Sequence, residues 1–419
     1  MDALKTLVVE NGMFLKRESG AALLSADAAL PQTGRIRDTL VSILDERPLT
    51  AFVLDVLALE LRAHTYERDK SQNLVEMAPY QDSAVTADRL LDAFDSLPWT
   101  YAISIPLPPA LSLLLGPSDT ELKVSDKVRL VRATSDFQER FHSAADHMRK
   151  EGSRGERGVL GALFAQREPT WQENEVYVQV RCEGFIGPYG LTPTAVDAER
   201  LVRSFVGMGI ATHLFEYDWS YTAEELKQHI FVHRLSDGGN WGFVTRYDLD
   251  DAATKCLRNL KIAASSGALA SLADPRLRIV SGLKNIGRAL DAGDSAEPTI
   301  RAAQWLFDSY AGTDELLAFV QAMIVLEILL GEKEPTEKVG IIELIANRFA
   351  YFVGTTHSER QRLITDLRKI YQVRSQIVHK GKHRLSYEER VLFSSLKWMC
   401  LRALDKEMQL LIAGQRPPL

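Results

Sequence analysis

Tyr371-Gln-Val-Arg-Ser-Gln-Ile-Val-His-Lys-Gly-Lys382 is the stretch on which the reading of this chain turns. It closes a helix. Ser358, with Gln361 three residues on, reads as a capping box at the start, and Gly381 supplies the stop after Lys380. The same punctuation recurs on both sides. Upstream, Leu290–Pro298 reads as a loop and Ile300–Tyr310 as a helix. Thr313 caps Asp314–Leu330, stopped by Gly331, and Thr336 caps Glu337–Val353, stopped by Gly354. Downstream, Ser386 with Glu389 is a second capping box, and its helix runs to near Gly414. Caps and stops at this regular spacing predict an all-α bundle over 299–419.

Before the bundle the pattern changes. Residues 1–95 read as mainly helical: Leu40, Ile43, Leu44, Phe52, Val53, Val56 and Leu57 fall at mixed three- and four-residue spacings, broken at Pro48. Residues 96–254 read as α+β. Tyr101, Ile103 and Ile105 alternate, as do Val176, Val178, Val180 and Cys182 against Tyr177, Gln179 and Arg181. His229–Leu235 and Trp241–Tyr247 flank Ser-Asp-Gly-Gly-Asn, a hairpin signal. Thr192 and Pro193 open a helix to Gly209, and Arg149–Gly158 reads as an exposed loop. After Asp251 the pattern reads as all-helical, with 255–298 as connecting helices and loop. The fold expected is an α+β N-terminal region followed by an all-α helical bundle.

Arg374 and His379 stand near the end of the helix, with Lys380, Lys382, His383 and Arg384 directly after. The run Arg374-Ser-x-x-Val-His379-Lys-Gly, preceded by Tyr371, resembles the signature of the HEPN superfamily, and within it the Apea-like HEPN domains of prokaryotic defence proteins. Val325-Leu-Glu327-Ile-Leu-Leu330 is similar to that family's leucine- and glutamate-bearing helix, and the helix Ile341–Ala350 lies between the two. The resemblance covers about 299–414, less than a third of the chain. Many members carry Asn directly after the Arg; Ser375 stands there here.

The resemblance implies a HEPN-like bundle that dimerises and cleaves RNA without a metal or cofactor, with Arg374 and His379 contributed to a shared cleft. It also implies an antiphage, abortive-infection effector. RNA such as tRNA would be the substrate, a phage-derived trigger a further partner, and 96–254 a sensor or regulatory domain. The residue chemistry is compatible. RNA brings its own nucleophile, the 2′-hydroxyl. Histidine exchanges protons near neutral pH, and arginine grips phosphate oxygens with paired hydrogen bonds. On this reading Arg374, His379 and Ser375 are catalytic, Glu327 and Tyr371 support them, and Lys380, Lys382 and Arg384 contact RNA. Helix geometry sets a constraint: at about 100° per residue Arg374 and His379 lie about 140° apart, whereas Ser375 and His379 share a face. The rival expectation is a non-catalytic RNA-binding or dimerisation module. In it Arg374 pairs with Glu327 or Glu343 inside the bundle, and His379 caps the helix.

Composition narrows the classes further. Hydrophobic content of 46% and charged content of 25% are those of a folded globular chain. The longest apolar run, Met323–Leu330, is interrupted by Glu327 and falls short of the roughly 18 residues a membrane helix needs. Met1–Gly20 has no uninterrupted apolar stretch, and three distant cysteines form no framework, so a cytoplasmic protein without membrane contact is expected. The net charge of −6 conceals a division: residues 1–254 are acidic and 255–419 basic. The basic part suits a phosphate-rich ligand. His229 and His233 share a strand face about 13 Å apart, too far for one metal ion. No Walker loop, dinucleotide fingerprint, HExxH or GxSxG is present.

Overall fold

A computed structural model describes residues 2–10, 14–16, 21–28, 33–44, 49–62, 71–142, 171–188, 192–218, 227–263, 275–331 and 340–414. The expected Arg149–Gly158 loop and the Thr336 cap lie outside them. The chain opens with β1 (Val8–Glu10) and β2 (Phe14–Leu15), then α1 (Ala21–Ala28), α2 (Arg35–Leu44) and α3 (Leu49–Arg62). β3 (Ser71–Asn73) returns to complete a small sheet in the order β2-β1-β3, and α4 (Ser83–Asp95) follows.

The central sheet is built from β4 (Trp99–Pro106), β5 (Glu121–Lys123), β6 (Val128–Arg132) and, after α5 (Ser135–Arg140), β7 (Val176–Gly184). α6 (Pro193–Ala211) and β8 (Phe215–Tyr217) precede the hairpin of β9 (His229–Leu235) and β10 (Trp241–Asp248). The six strands run β10-β9-β4-β7-β6-β5 with every neighbour antiparallel. The alternation read in β7 is present. Val176, Val178 and Val180 join the main core, which also contains Val202, Phe205 and Val206 of α6. The opposite face is buried as well, because Phe141 and Trp171 close over Tyr177, Phe231 and Trp241 in a second aromatic cluster.

His233 lies in that second cluster at 0% exposure, ringed by Phe141, Trp171 and Phe243 at 5.3–5.8 Å between ring centres. Its Nε2–H donates to the His142 carbonyl at 2.9 Å, and Nδ1 has no partner. A second proton would sit on that buried, unpaired nitrogen, so burial pushes the imidazole pKa down to about 4. An unfolded histidine titrates near 6.5. Between these values the unfolded chain binds the extra proton and the folded chain does not, so stability is complete above pH 6.5 and falls as pH drops toward 4. The loss expected from this residue is about 3 kcal/mol. Urea midpoints of wild type and His233→Gln at pH 7.5 and 4.5 measure it; an acid limb of equal depth in both would remove the assignment.

After Asp251 the chain is not all helix. α7 (Asp251–Arg258) is followed by β11 (Leu260–Ile262), which pairs with β8. Three residues are too few to show a period, which is why the strand does not register in the sequence. α8 (Pro275–Leu290) and α9 (Glu297–Ala311) follow, and α9 starts inside the stretch expected to be loop. The bundle is completed by α10 (Glu315–Leu330), α11 (Ile341–Val353), α12 (His357–Lys380) and α13 (Tyr387–Ile412). Of the caps read on described residues, Thr192 before α6 and Ser386 with Glu389 before α13 stand as read. Asp314 rather than Thr313 caps α10, and Gly340 occupies the cap position of α11. Thr356 rather than Ser358 caps α12. In α10 and α12 a neighbouring side chain with equal capping chemistry takes the role.

α6 joins the two halves, sheet on one side and α9 on the other. A Cβ on Gly207 would stand 2.0 Å from the Ala303 carbonyl oxygen, so the close approach of α6 to α9 requires glycine there. One contiguous apolar core runs from Leu4 through the sheet and α6 to Met408 of α13. Among the described residues no helix is long and apolar enough to cross a membrane.

Candidate functional site

α12 is amphipathic. Leu363, Ile364, Leu367, Ile370 and Val373 are buried in the bundle. At its start the Thr356 hydroxyl accepts from Glu359 N–H, and the Glu359 carboxylate accepts from the Thr355 N–H and hydroxyl. At its end Gly381 takes φ +61°, the left-handed geometry in which glycine alone is unstrained. The turn beyond is held from both sides. Lys382 Nζ pairs with Glu389 at 2.8 Å and donates to Gln376 Oε1 at 3.3 Å, while Glu389 also accepts from Ser386 N–H.

Within this frame Arg374 and His379 point to different sides, as the helical angle requires. Arg374 faces α10 and is half-buried, with its guanidinium 3.7 Å from the Glu327 carboxylate. Its Nε is buried without a hydrogen-bond partner, and its Cζ lies 5.9 Å from the centre of the Tyr371 ring. Burial raises the Glu327 carboxyl above the usual range, and the Arg374 charge offsets part of that rise. Glu343, the other candidate partner, is taken by Arg368 in a bidentate pair. Ser375 is half-buried, whereas His379, Lys380, His383 and Arg384 are exposed.

Arg374 and Glu327 are therefore brought together, and Tyr371 flanks them. Arg374 and His379 do not converge in one copy of the chain. Lys382 is neutralised by Glu389 and fixes the turn, which leaves Lys380 and Arg384 as the exposed cations of the expected RNA-contacting set. Gln376 lies inside the decisive stretch, and nothing in the sequence marks it. Its six-residue spacing to Lys382 crosses the helix end, where helical periodicity gives no signal. Elsewhere, His229 Nδ1 bonds Asp248 at 2.8 Å while His233 is enclosed, so the two do not share a site. Among the described residues no group of His, Cys, Asp and Glu is placed to hold a metal ion.

What this arrangement offers chemically is a half-buried guanidinium with unfilled donor capacity and, around the same helix end, an exposed imidazole followed in the chain by exposed cations. The first can bind an anion tightly because it is partly desolvated. The second presents a group able to pass a proton to or from a ligand in hydrogen-bond reach. Compared with protein-family models, curated proteins and solved structures, the chain matches none.

Proposed function

We propose that the chain is a metal-independent endoribonuclease of the HEPN type, with Arg374 and His379 as the reacting pair. The observation that carries the proposal is the state of Arg374. A guanidinium held at 3.7 Å from one carboxylate, with a buried Nε unbonded, is poorly satisfied as a structural ion pair. A phosphate oxygen would complete it. His379 would then take the proton of the ribose 2′-hydroxyl or give one to the leaving 5′-oxygen. Arg374 would stabilise the charge on the pentacoordinate phosphorus. The 2′-oxygen–phosphorus bond forms as the phosphorus–5′-oxygen bond breaks, leaving a 2′,3′-cyclic phosphate and a 5′-hydroxyl.

Because the two residues diverge around α12, the proposal includes a second copy of the chain that completes the cleft. Tyr387, Val391 and Trp398 are exposed on α13 at spacings that keep them near one line, and Val378 is exposed beside His379. Exposed apolar side chains of this kind suit an interface between copies. The N-terminal part would regulate cleavage, and tRNA is the substrate to try first.

The test is incubation of the purified chain with total RNA and tRNA in excess EDTA, with the 3′ ends of fragments mapped. Cyclic phosphate ends that depend on His379 are the expected result. Intact RNA, repeated in infected-cell extract to supply a trigger, would overturn it. The Arg374–Glu327 pair favours a second reading, a non-catalytic bundle in which this pair is structural. On that reading RNA is bound without being cut.

A further inference from the structure

Two departures from local sequence rules meet at one place on the far side of the bundle. α6 ends at Ala211, and His213 takes φ +53° so that Leu214 N–H can reach the Gly209 carbonyl at 2.8 Å. This is the position that glycine usually fills, and a histidine there costs roughly 1 kcal/mol. In the middle of α8, Gly282 weakens the helix by about as much relative to alanine. A Cβ at Gly282 would stand 3.4 Å from Leu214, an ordinary contact, so packing does not demand the glycine. Side chains that break local preference without structural need tend to mark function.

Both residues line an open cavity of about 320 Å³ between the end of α6, one face of α8 and the C-terminal half of α13. α8 contributes Arg278, Ser281, Gly282 and Asn285, spaced three, four and seven residues from the first, so all four share a face. α13 contributes Asp405, Met408, Gln409 and Ile412 with the same spacing. Asp405 accepts from Gln409 Nε2 at 3.0 Å, an arrangement that fixes the Gln409 amide. Among the described residues no hydrogen bond or ion pair engages the side chains of Arg278 and His213.

We infer that this cavity is a binding site for a small phosphate monoester carried on a hydroxylated ring, of mononucleotide or sugar-phosphate size. Arg278 and His213 supply a fork of donors and an imidazole for the phosphate. Asn285, Ser281, Asp405 and Gln409 offer donors and acceptors for ring substituents, and Leu214, Met408 and Ile412 give the apolar wall. The volume lies at the lower end of the range for small-molecule sites. Nothing in this assignment depends on RNA cleavage.

Isothermal titration and thermal melting of the full chain with AMP, ribose 5-phosphate and inorganic phosphate test it. AMP or ribose 5-phosphate should bind at least tenfold tighter than inorganic phosphate and raise the melting temperature. If AMP alone binds, the base is read; if both bind equally, the sugar phosphate suffices. Arg278→Ala should weaken binding at least tenfold. His213→Gly and Gly282→Ala are the decisive variants, because both should melt at or above the wild-type temperature while binding at least fivefold more weakly. Absence of binding by all three probes, or binding unchanged in these variants, would overturn the inference.

Discussion

His379→Ala should lower RNA cleavage by roughly 10³-fold while leaving the melting temperature unchanged. The rate expectation follows from the usual contribution of a positioned proton donor or acceptor, roughly 10²–10⁴. The stability expectation follows from position: His379 is exposed on the last turn of α12, and removing such a side chain costs within about 0.5 kcal/mol. The two readouts together separate catalysis from structure, since a capping role would lower stability slightly and leave turnover alone. In a mixture of His379→Ala with Arg374→Ala chains, each copy lacks what the other retains. If the cleft is shared between copies, mixing should restore part of the activity, and activity that stays at the level of the separate variants would remove the dimeric cleft.

Arg374 makes the harsher discrimination because it has a partner. Arg374→Ala leaves Glu327 half-buried opposite nothing, and an uncompensated group of this kind costs about 1–3 kcal/mol. The carboxyl is already raised by burial, so it will protonate, and the loss should lessen as pH falls. Pairing the change with Glu327→Gln removes the stranded charge and should recover most of the stability. Cleavage should stay lost in that double variant. Arg374→Lys keeps the charge without the fork, and it should fold while cleaving poorly. Recovery of cleavage with recovery of stability would move the assignment to a structural pair, and His379 would then need another partner.

The parts of this site that were legible in the sequence are those fixed by local chemistry. Gly381 and the Ser386–Glu389 box could be placed because a left-handed stop and a reciprocal cap each involve residues within one turn. Glu327 could be named as a partner for Arg374 because a carboxylate in an otherwise apolar helix needs one, but the choice between it and Glu343 rested on Arg368, whose pairing spans 25 residues. The same limit hid β8 with β11, and the closure of the second sheet face by Phe141 and Trp171, which lie outside the strands. The cavity between α6, α8 and α13 was hidden for another reason. Each helix contributes a stripe that is unremarkable alone, and only their convergence gives it meaning.

Arg203 is the clearest case of a decisive residue that the sequence does not announce, and Arg203→Ala should destabilise the chain by about 3–5 kcal/mol. Its guanidinium contacts Glu199 one turn away on α6, Asp250 at the cap of α7, and Asp308 of α9 at 2.9 Å, with its Cζ 5.7 Å from the Phe307 ring centre. Glu199 and Asp308 are 15% and 14% exposed, so losing the arginine strands two nearly buried carboxylates at the junction of sheet and bundle. Burial already raises the Asp308 carboxyl, and its hydrogen bond to Arg203 works against that rise. In the variant the Asp308 carboxyl should titrate above its unfolded value. Stability lost at pH 7.5 should therefore be partly regained by pH 5, where protonation removes the buried charge, and the gap to wild type should narrow. Urea unfolding of both proteins at the two pH values measures this, with the contribution of His233 cancelling in the difference. A constant gap would mean that the loss comes from packing against Phe307. Replacing Arg203, Glu199 and Asp308 together by Met, Met and Leu should recover much of the stability, because apolar side chains of similar volume substitute well for a buried ionic group. What such a triple variant would lose is the directional tie of α6 to both α7 and α9.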